Sequence, residues 1–154
     1  HPLAFYATYF TVRGEDIDYE AAVGGVKAAL QHMKEIEQRP KEEKTAKDED
    51  MLASLQIVNE MLQRGYEFLP VRIGKSRAKT YVIEDGKIRL PFMALKGLGE
   101  AVATALEEAT MNGEQYISAE ELQTACGASS TIMDLLAEIG ALGNLPKTSQ
   151  VSFF

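Results

Sequence analysis

Between Phe92 and Leu106 the chain reads Phe92-Met93-Ala94-Leu95-Lys96-Gly97-Leu98-Gly99-Glu100-Ala101-Val102-Ala103-Thr104-Ala105-Leu106, two apolar helical stretches hinged on Gly-Leu-Gly. Glycines permit positive φ in a tight turn and leave bare amides at the surface. The turn opens onto a helix N-terminus, where unpaired N–H groups and the helix dipole favour an anion. Gly97, Gly99 and Ala103, with Leu95, Leu98 and Leu106 around them, therefore predict a helix-hairpin-helix over 91–111 whose outer surface suits a nucleic-acid phosphate. Such hairpins also serve purely as helix-packing corners, so the surrounding charge has to be weighed.

The net charge of −7 argues at first against a nucleic-acid partner. The average hides a division. From Arg64 to Lys96 stand eight basic residues (Arg64, Arg72, Lys75, Arg77, Lys79, Lys87, Arg89, Lys96) and three acidic ones (Glu67, Glu84, Asp85), net +5, against −12 for the remainder. The basic ground thus lies immediately before the Gly-Leu-Gly turn. The bland reading of the same residues is a strand pair with solvated lysines and arginines.

Length and composition bound the rest. The 154 residues, 45% of them apolar, suffice for one domain or two small packed subdomains with a real core. No run approaches the roughly 18 to 20 apolar residues of a membrane span, and no export signal opens the chain. A lone cysteine, Cys126, forms no internal disulfide and fits a reducing cytoplasm, so a cytoplasmic protein with no membrane partner is expected. The chain opens on His1 rather than Met and reads as a fragment of a longer protein.

Periodicity predicts a fold that is mainly α with a small antiparallel β-hairpin (α+β), an αα-hairpin followed by the helix-hairpin-helix domain. The aromatic-rich run Leu3 to Phe10 reads as a helix. Asp16 or Asp18 caps the next, whose Ala22, Val23, Val26, Ala29, Leu30, Met33 and Ile36 form one apolar stripe. After a charged turn from Gln38 to Asp50, a second amphipathic helix with Met51, Leu52, Leu55, Val58, Met61 and Leu62 on one face stops at Gly65. Tyr66 to Val71 is extended, and Ala78–Ile83 with Lys87–Leu90 flank the Glu84-Asp85-Gly86 turn of a hairpin. The helix after Gly99 runs to about Met111 and ends at Asn112-Gly113. Ser118-Ala119-Glu120-Glu121 is a capping box for a short helix ending near Cys126-Gly127. Ser129 or Ser130 caps a last helix that stops at Gly140. Lys147-Thr148-Ser149 have little reason to fold.

The chain closes on Gln150-Val151-Ser152-Phe153-Phe154, an apolar pair at a polar terminus. Burying each ring in a partner pocket is worth roughly 1.5–3 kcal/mol, and the shape is that of a linear docking motif; the bland reading folds both rings back on their own domain. Catalytic chemistry is not visible. Asp16-Ile17-Asp18 sits at a helix start, where capping explains it better than a two-metal site. His1 and His32 are too sparse for a metal centre, and no phosphate-binding loop ending Gly-Lys-Ser/Thr occurs. No cofactor is expected in this fragment.

In order along the chain, His1-Pro2-Leu3-Ala4-Phe5-Tyr6-Ala7-Thr8-Tyr9-Phe10-Thr11-Val12-Arg13, Glu60-Met61, Arg64-Gly65-Tyr66, Lys75-Ser76-Arg77-Ala78, Leu90-Pro91-Phe92, Lys96-Gly97-Leu98-Gly99 and the closing pentapeptide resemble the C-terminal end of the PolC-type alpha subunits of bacterial DNA polymerase III, a C-family replicative polymerase. The resemblance covers essentially all 154 residues. It implies that 1–65 belong to the fingers and 66–146 to a duplex-binding domain, with 147–154 a flexible clamp-binding tail. The implied partners are double-stranded DNA, the bacterial sliding clamp and the upstream polymerase domains. The DNA-facing residues it implies are Lys75, Ser76, Arg77, Lys79, Lys96, Gly97, Leu98 and Gly99, and the clamp-facing ones Gln150, Val151, Ser152, Phe153 and Phe154. Val151 and Phe153 stand where the family's pentapeptide has leucines. The polymerase palm and its Mg²⁺ are implied to lie outside this fragment, which should be inactive alone. The alternative is a helical protein-interaction module in which the hairpin is only structural.

Overall fold

The structure, a computed structural model, describes residues 1–13, 17–113 and 115–148. Twelve residues, Pro2–Arg13, form α1, and its Tyr6 and Phe10, one turn apart, are both fully buried. The Phe10 ring meets Phe68 edge-on at 5.5 Å and Tyr81 at 5.6 Å, and Tyr6 lies 6.1 Å from Tyr66. These aromatic contacts join α1 to the second half of the chain in one core. The Tyr6 hydroxyl donates to Glu60 at 2.7 Å and accepts from Arg64 at 2.9 Å, tying α1 to the end of α4 (Ala46–Gln63).

The helix expected from Asp18 to Gln38 is broken in two. α2 (Tyr19–Gly24) and α3 (Val26–Glu37) meet at Gly25, whose φ of 92° no helix accommodates. Consecutive glycines are poor helix formers, and the break resets the angular phase of the apolar stripe: Ala22, Ala29 and Ile36 are buried, whereas Val23 and Leu30 stay exposed. Asp18 caps α2, accepting from the Ala21 amide at 3.0 Å; Asp16 lies outside the described residues. α4 starts five residues before Met51, the first residue of the predicted apolar face, because Thr45 and Asp48 exchange backbone and side-chain bonds in a capping box. The last five residues of the predicted turn, 46–50, therefore belong to the start of α4, and the Thr45 amide holds the Asp48 carboxyl below its usual range.

The small sheet has three strands in the order β1-β3-β2, from β1 (Phe68–Leu69), β2 (Val82–Glu84) and β3 (Lys87–Arg89). β2 and β3 pair antiparallel, as predicted, with Ile83 opposite Ile88; Glu84, predicted in the turn, ends β2 opposite Lys87. β1 adds parallel to β3 with Phe68 opposite Ile88. Residues 78–81, predicted as strand, are irregular because their amides have other acceptors: Ala78 donates to the Glu107 carboxylate and Tyr81 to the Thr11 hydroxyl.

α5 (Glu100–Met111), α6 (Ala119–Cys126) and α7 (Ser130–Glu138) are the remaining elements among the described residues. Ser118 accepts from the Glu121 amide as predicted, but the Glu121 carboxylate reaches back to the Ile117 amide rather than that of Ser118. Lys147 is not loose: the Pro146 and Lys147 carbonyls accept from the Ala119 and Glu120 amides and close the first turn of α6. Cys126 is buried, and burial pushes its thiol up.

His32 of α3 stands between carboxylates, with Nδ1 2.5 Å from Asp18 Oδ2 and Nε2 3.6 Å from Glu20 Oε2. The hydrogen bond to Asp18 raises the imidazole above its ordinary value. An unfolded histidine titrates near about 6.5, so the contribution of this pair to stability is complete below that value and disappears as pH rises through the higher folded one. Denaturation midpoints of the chain and of His32→Gln are predicted to differ most near about pH 5.5 and to converge by about pH 9. A difference independent of pH would contradict the assignment.

Candidate nucleic-acid interface

Pro91 donates no hydrogen bond, and the next two amides bond sideways rather than up a helix: Phe92 N–H to the Arg77 carbonyl at 2.9 Å and Met93 N–H to that of Ala78 at 3.0 Å. The first arm of the hairpin is a single 3-10 turn, Phe92–Ala94, ended by extended Leu95 (φ −84°, ψ 126°), and not the helical stretch predicted. Phe92, Ala94 and Leu95 are all buried, a run that one face of an α-helix cannot bury.

The turn follows from alternating inward and outward residues. Leu95 and Leu98 are 3% and 4% exposed and close the loop through the Leu98 amide and Leu95 carbonyl at 3.2 Å, while Lys96, Gly97 and Gly99 face outward. Gly97 has φ 88° and requires glycine; Gly99, predicted to share that freedom, has φ −78° and ψ 169° and serves as the N-cap of α5. Ala103 and Leu106 pin α5 to the core.

The N-terminus of α5 is open. α2, α4, α6 and α7 each begin with a side chain that accepts from their first turn, Asp18, Thr45, Ser118 and Ser129 in order. Gly99 supplies none, and the amides of Gly97, Gly99, Glu100 and Ala101 have no acceptor among the described residues. Four N–H groups without an acceptor at the positive end of a helix are donors of the kind that suit an anion.

Arg77 and Lys79 flank this turn through the backbone bonds at 77 and 78. Glu107 and Glu100, seven residues and so about two turns apart on one face of α5, hold the same segment, Glu107 at the Ala78 amide (2.9 Å) and Glu100 at Lys79 Nζ (2.6 Å). Sequence reasoning singled out neither glutamate; the spacing of seven was the available signal. Much of the predicted basic charge is paired: Lys87 with Glu67 at 3.0 Å, Lys75 with Glu84 at 4.0 Å, Arg89 with Glu84, and Arg64 with Glu60 at 3.8 Å. Arg72, Arg77 and Lys96 form no ion pair with a described residue, and Arg72 lies against Gly143.

The predicted DNA-facing residues therefore separate. Arg77, Lys96, Gly97 and Gly99 are exposed at or beside the open amides, with Lys79 next to them on Glu100 and Lys75 on Glu84. Ser76 is fully buried; its hydroxyl donates to the Leu90 carbonyl at 2.8 Å and accepts from the Arg72 amide at 3.0 Å, so it shapes the loop from inside. Leu98 is likewise an inward peg that supports the turn. Gln150, Val151, Ser152, Phe153 and Phe154 lie outside the described residues. Among the described residues no group of three or more His, Cys, Asp or Glu side chains is placed to hold a metal ion, and no helix is long and apolar enough to cross a membrane.

A family model described as a helix-hairpin-helix motif matches residues 65–151. The DNA polymerase III PolC-type of Streptococcus thermophilus is 39% identical over 155 aligned residues, covering 100% of this chain and 10% of the relative. Proteins of the same name from Streptococcus agalactiae and Streptococcus pyogenes are 37% and 38% identical over the same shares. The chain spans about a tenth of the length of these relatives. A hairpin with open amides, found within such a match, supports one conclusion: the chain belongs to the helix-hairpin-helix family and is homologous along its whole length to a segment of PolC-type DNA polymerase III.

Proposed function

We propose that this chain is the duplex-gripping and clamp-docking portion of a replicative DNA polymerase. The observation that carries the first half is the uncapped turn at 97–101, whose free amides stand beside Arg77 and Lys96. Backbone N–H groups at a helix N-terminus address phosphates, with the neighbouring cations adding charge, so the grip is blind to sequence and sensitive to salt. That is what an enzyme translating along its product requires. Lys75, Lys79 and Gly99 add to the phosphate-facing surface, while Ser76 and Leu98 hold it in shape. The outward face of α1, with Phe5 60% and Val12 78% exposed, suits packing against the upstream polymerase domains. Nucleotidyl transfer with its Mg²⁺ belongs in this reading to the rest of the polymerase, acting on the chromosome in the cytoplasm, and no metal-dependent step is derived from the residues described.

The second half rests on Gln150, Val151, Ser152, Phe153 and Phe154, two adjacent phenyl rings behind a glutamine at the end of a polar stretch. Docking of this pentapeptide in an apolar pocket of the sliding clamp is favoured by burial of the rings. Even a weak site suffices, because clamp and polymerase share one DNA and tethering raises the effective concentration.

Lys96→Gln is expected to weaken duplex binding equally for unrelated sequences and to lower the slope of log affinity against log salt by about one. An unchanged slope would remove Lys96 from the phosphate contacts. Titration against a bacterial sliding clamp is expected to show binding that disappears in Phe153→Ala/Phe154→Ala. Equal binding by both chains would place the clamp contact elsewhere.

A further inference from the structure

Glu100 is the first residue of α5 and follows directly on the glycine N-cap, in the field of the uncapped helix end. Its carboxylate takes Lys79 Nζ at 2.6 Å, although both side chains are more than half exposed. Each holds the other charged, Glu100 below and Lys79 above their ordinary values. The pair is not needed to keep the chain in place there. Ala78 next door is anchored separately by Glu107, and the Arg77 and Ala78 carbonyls by the Phe92 and Met93 amides, so Lys79 can leave Glu100 by side-chain rotation alone. The Arg89 ion pair with Glu84 differs, since Arg89 is only 11% exposed and also donates to the Pro70 carbonyl, which makes it part of the sheet.

Resting on the duplex-grip reading above, we propose that Glu100 is a built-in competitor for the DNA backbone: its carboxylate stands in for a phosphate at the mouth of the hairpin and holds Lys79 until the duplex displaces it. An exposed ion pair is weak enough for a phosphate to replace. The exchange keeps a cation oriented toward the turn in the free chain and limits the affinity of the bound one. A grip that must slide needs both.

The test is fluorescence anisotropy of the 154-residue chain with a blunt duplex of about 20 base pairs, from about 50 to 200 mM salt. Glu100→Gln is expected to tighten binding about three- to fivefold at the low end, with the gain shrinking as salt rises. Glu108→Gln, the same charge change about 12 Å further along the helix, is expected to stay within about twofold of the unsubstituted chain. In a Lys79→Gln background the gain from Glu100→Gln is expected to fall by at least half, because no lysine is released. A Glu100→Gln chain that binds no tighter than Glu108→Gln, or an equal gain with and without Lys79, would overturn the proposal. Loss of affinity in Lys96→Gln alongside an unchanged Glu100→Gln would leave the grip standing and remove only the competitor. Absence of duplex binding by every variant would overturn both.

Discussion

Two backbone hydrogen bonds, from the Phe92 and Met93 amides to the Arg77 and Ala78 carbonyls, set the geometry on which the rest of the site depends. They give acceptors to two first-turn donors that no helix would satisfy internally, and so fasten the 3-10 turn to the preceding segment. They also bring the segment carrying Arg77 and Lys79 alongside the Gly-Leu-Gly turn. Glu107 completes the arrangement by taking the Ala78 amide. A charge cluster in sequence becomes a charge cluster at the turn through backbone bonding, with Lys79 on Glu100 and Arg77 in no ion pair with a described residue.

The support beneath is apolar and aromatic. Phe10 packs on Phe68 and Tyr81, Thr11 accepts from the Tyr81 amide, and Ser76 is sealed under the loop that leads into Arg77. Tyr81 is itself buried, with no partner for its hydroxyl among the described residues, and desolvation pushes that hydroxyl well above its ordinary value. Rigid backing matters to a phosphate grip because its donors are main-chain amides, which move only with the fold. The electrostatics are correspondingly modest. Internal carboxylates neutralise most of the basic window, leaving Arg77 and Lys96 beside the turn. A sequence-blind contact of limited strength suits the duplex grip proposed above.

Local signals were the legible ones. The extent of α5, its end at Asn112-Gly113, a cap at one of Asp16 and Asp18 and at one of Ser129 and Ser130, found at Asp18 and Ser129, and the antiparallel β2–β3 pair follow from nearest-neighbour chemistry and are all present. What sequence reasoning missed was decided between distant segments. The parallel addition of β1, the irregular course of 78–81 and the closure of α6 by the Pro146 and Lys147 carbonyls each depend on partners far along the chain. The same holds at the site. Gly97 was legible because a turn needs positive φ there, whereas the burial of Ser76 and the pairing of Lys79 with Glu100, 21 residues away, depend on tertiary contact. The break at Gly25 is the exception, a local glycine pair outweighed in the prediction by an apparently continuous apolar stripe.

The account stands on the open amides of 97–101 being the anion contact. A ¹⁵N-resolved NMR titration of the chain with a short duplex reads those amides one by one. The predicted result is that Gly97, Gly99, Glu100 and Ala101 shift most, together with Arg77, and that added salt reverses the shifts. Shifts concentrated at the capped N-termini of α6 or α7, with 97–101 unmoved, would contradict it.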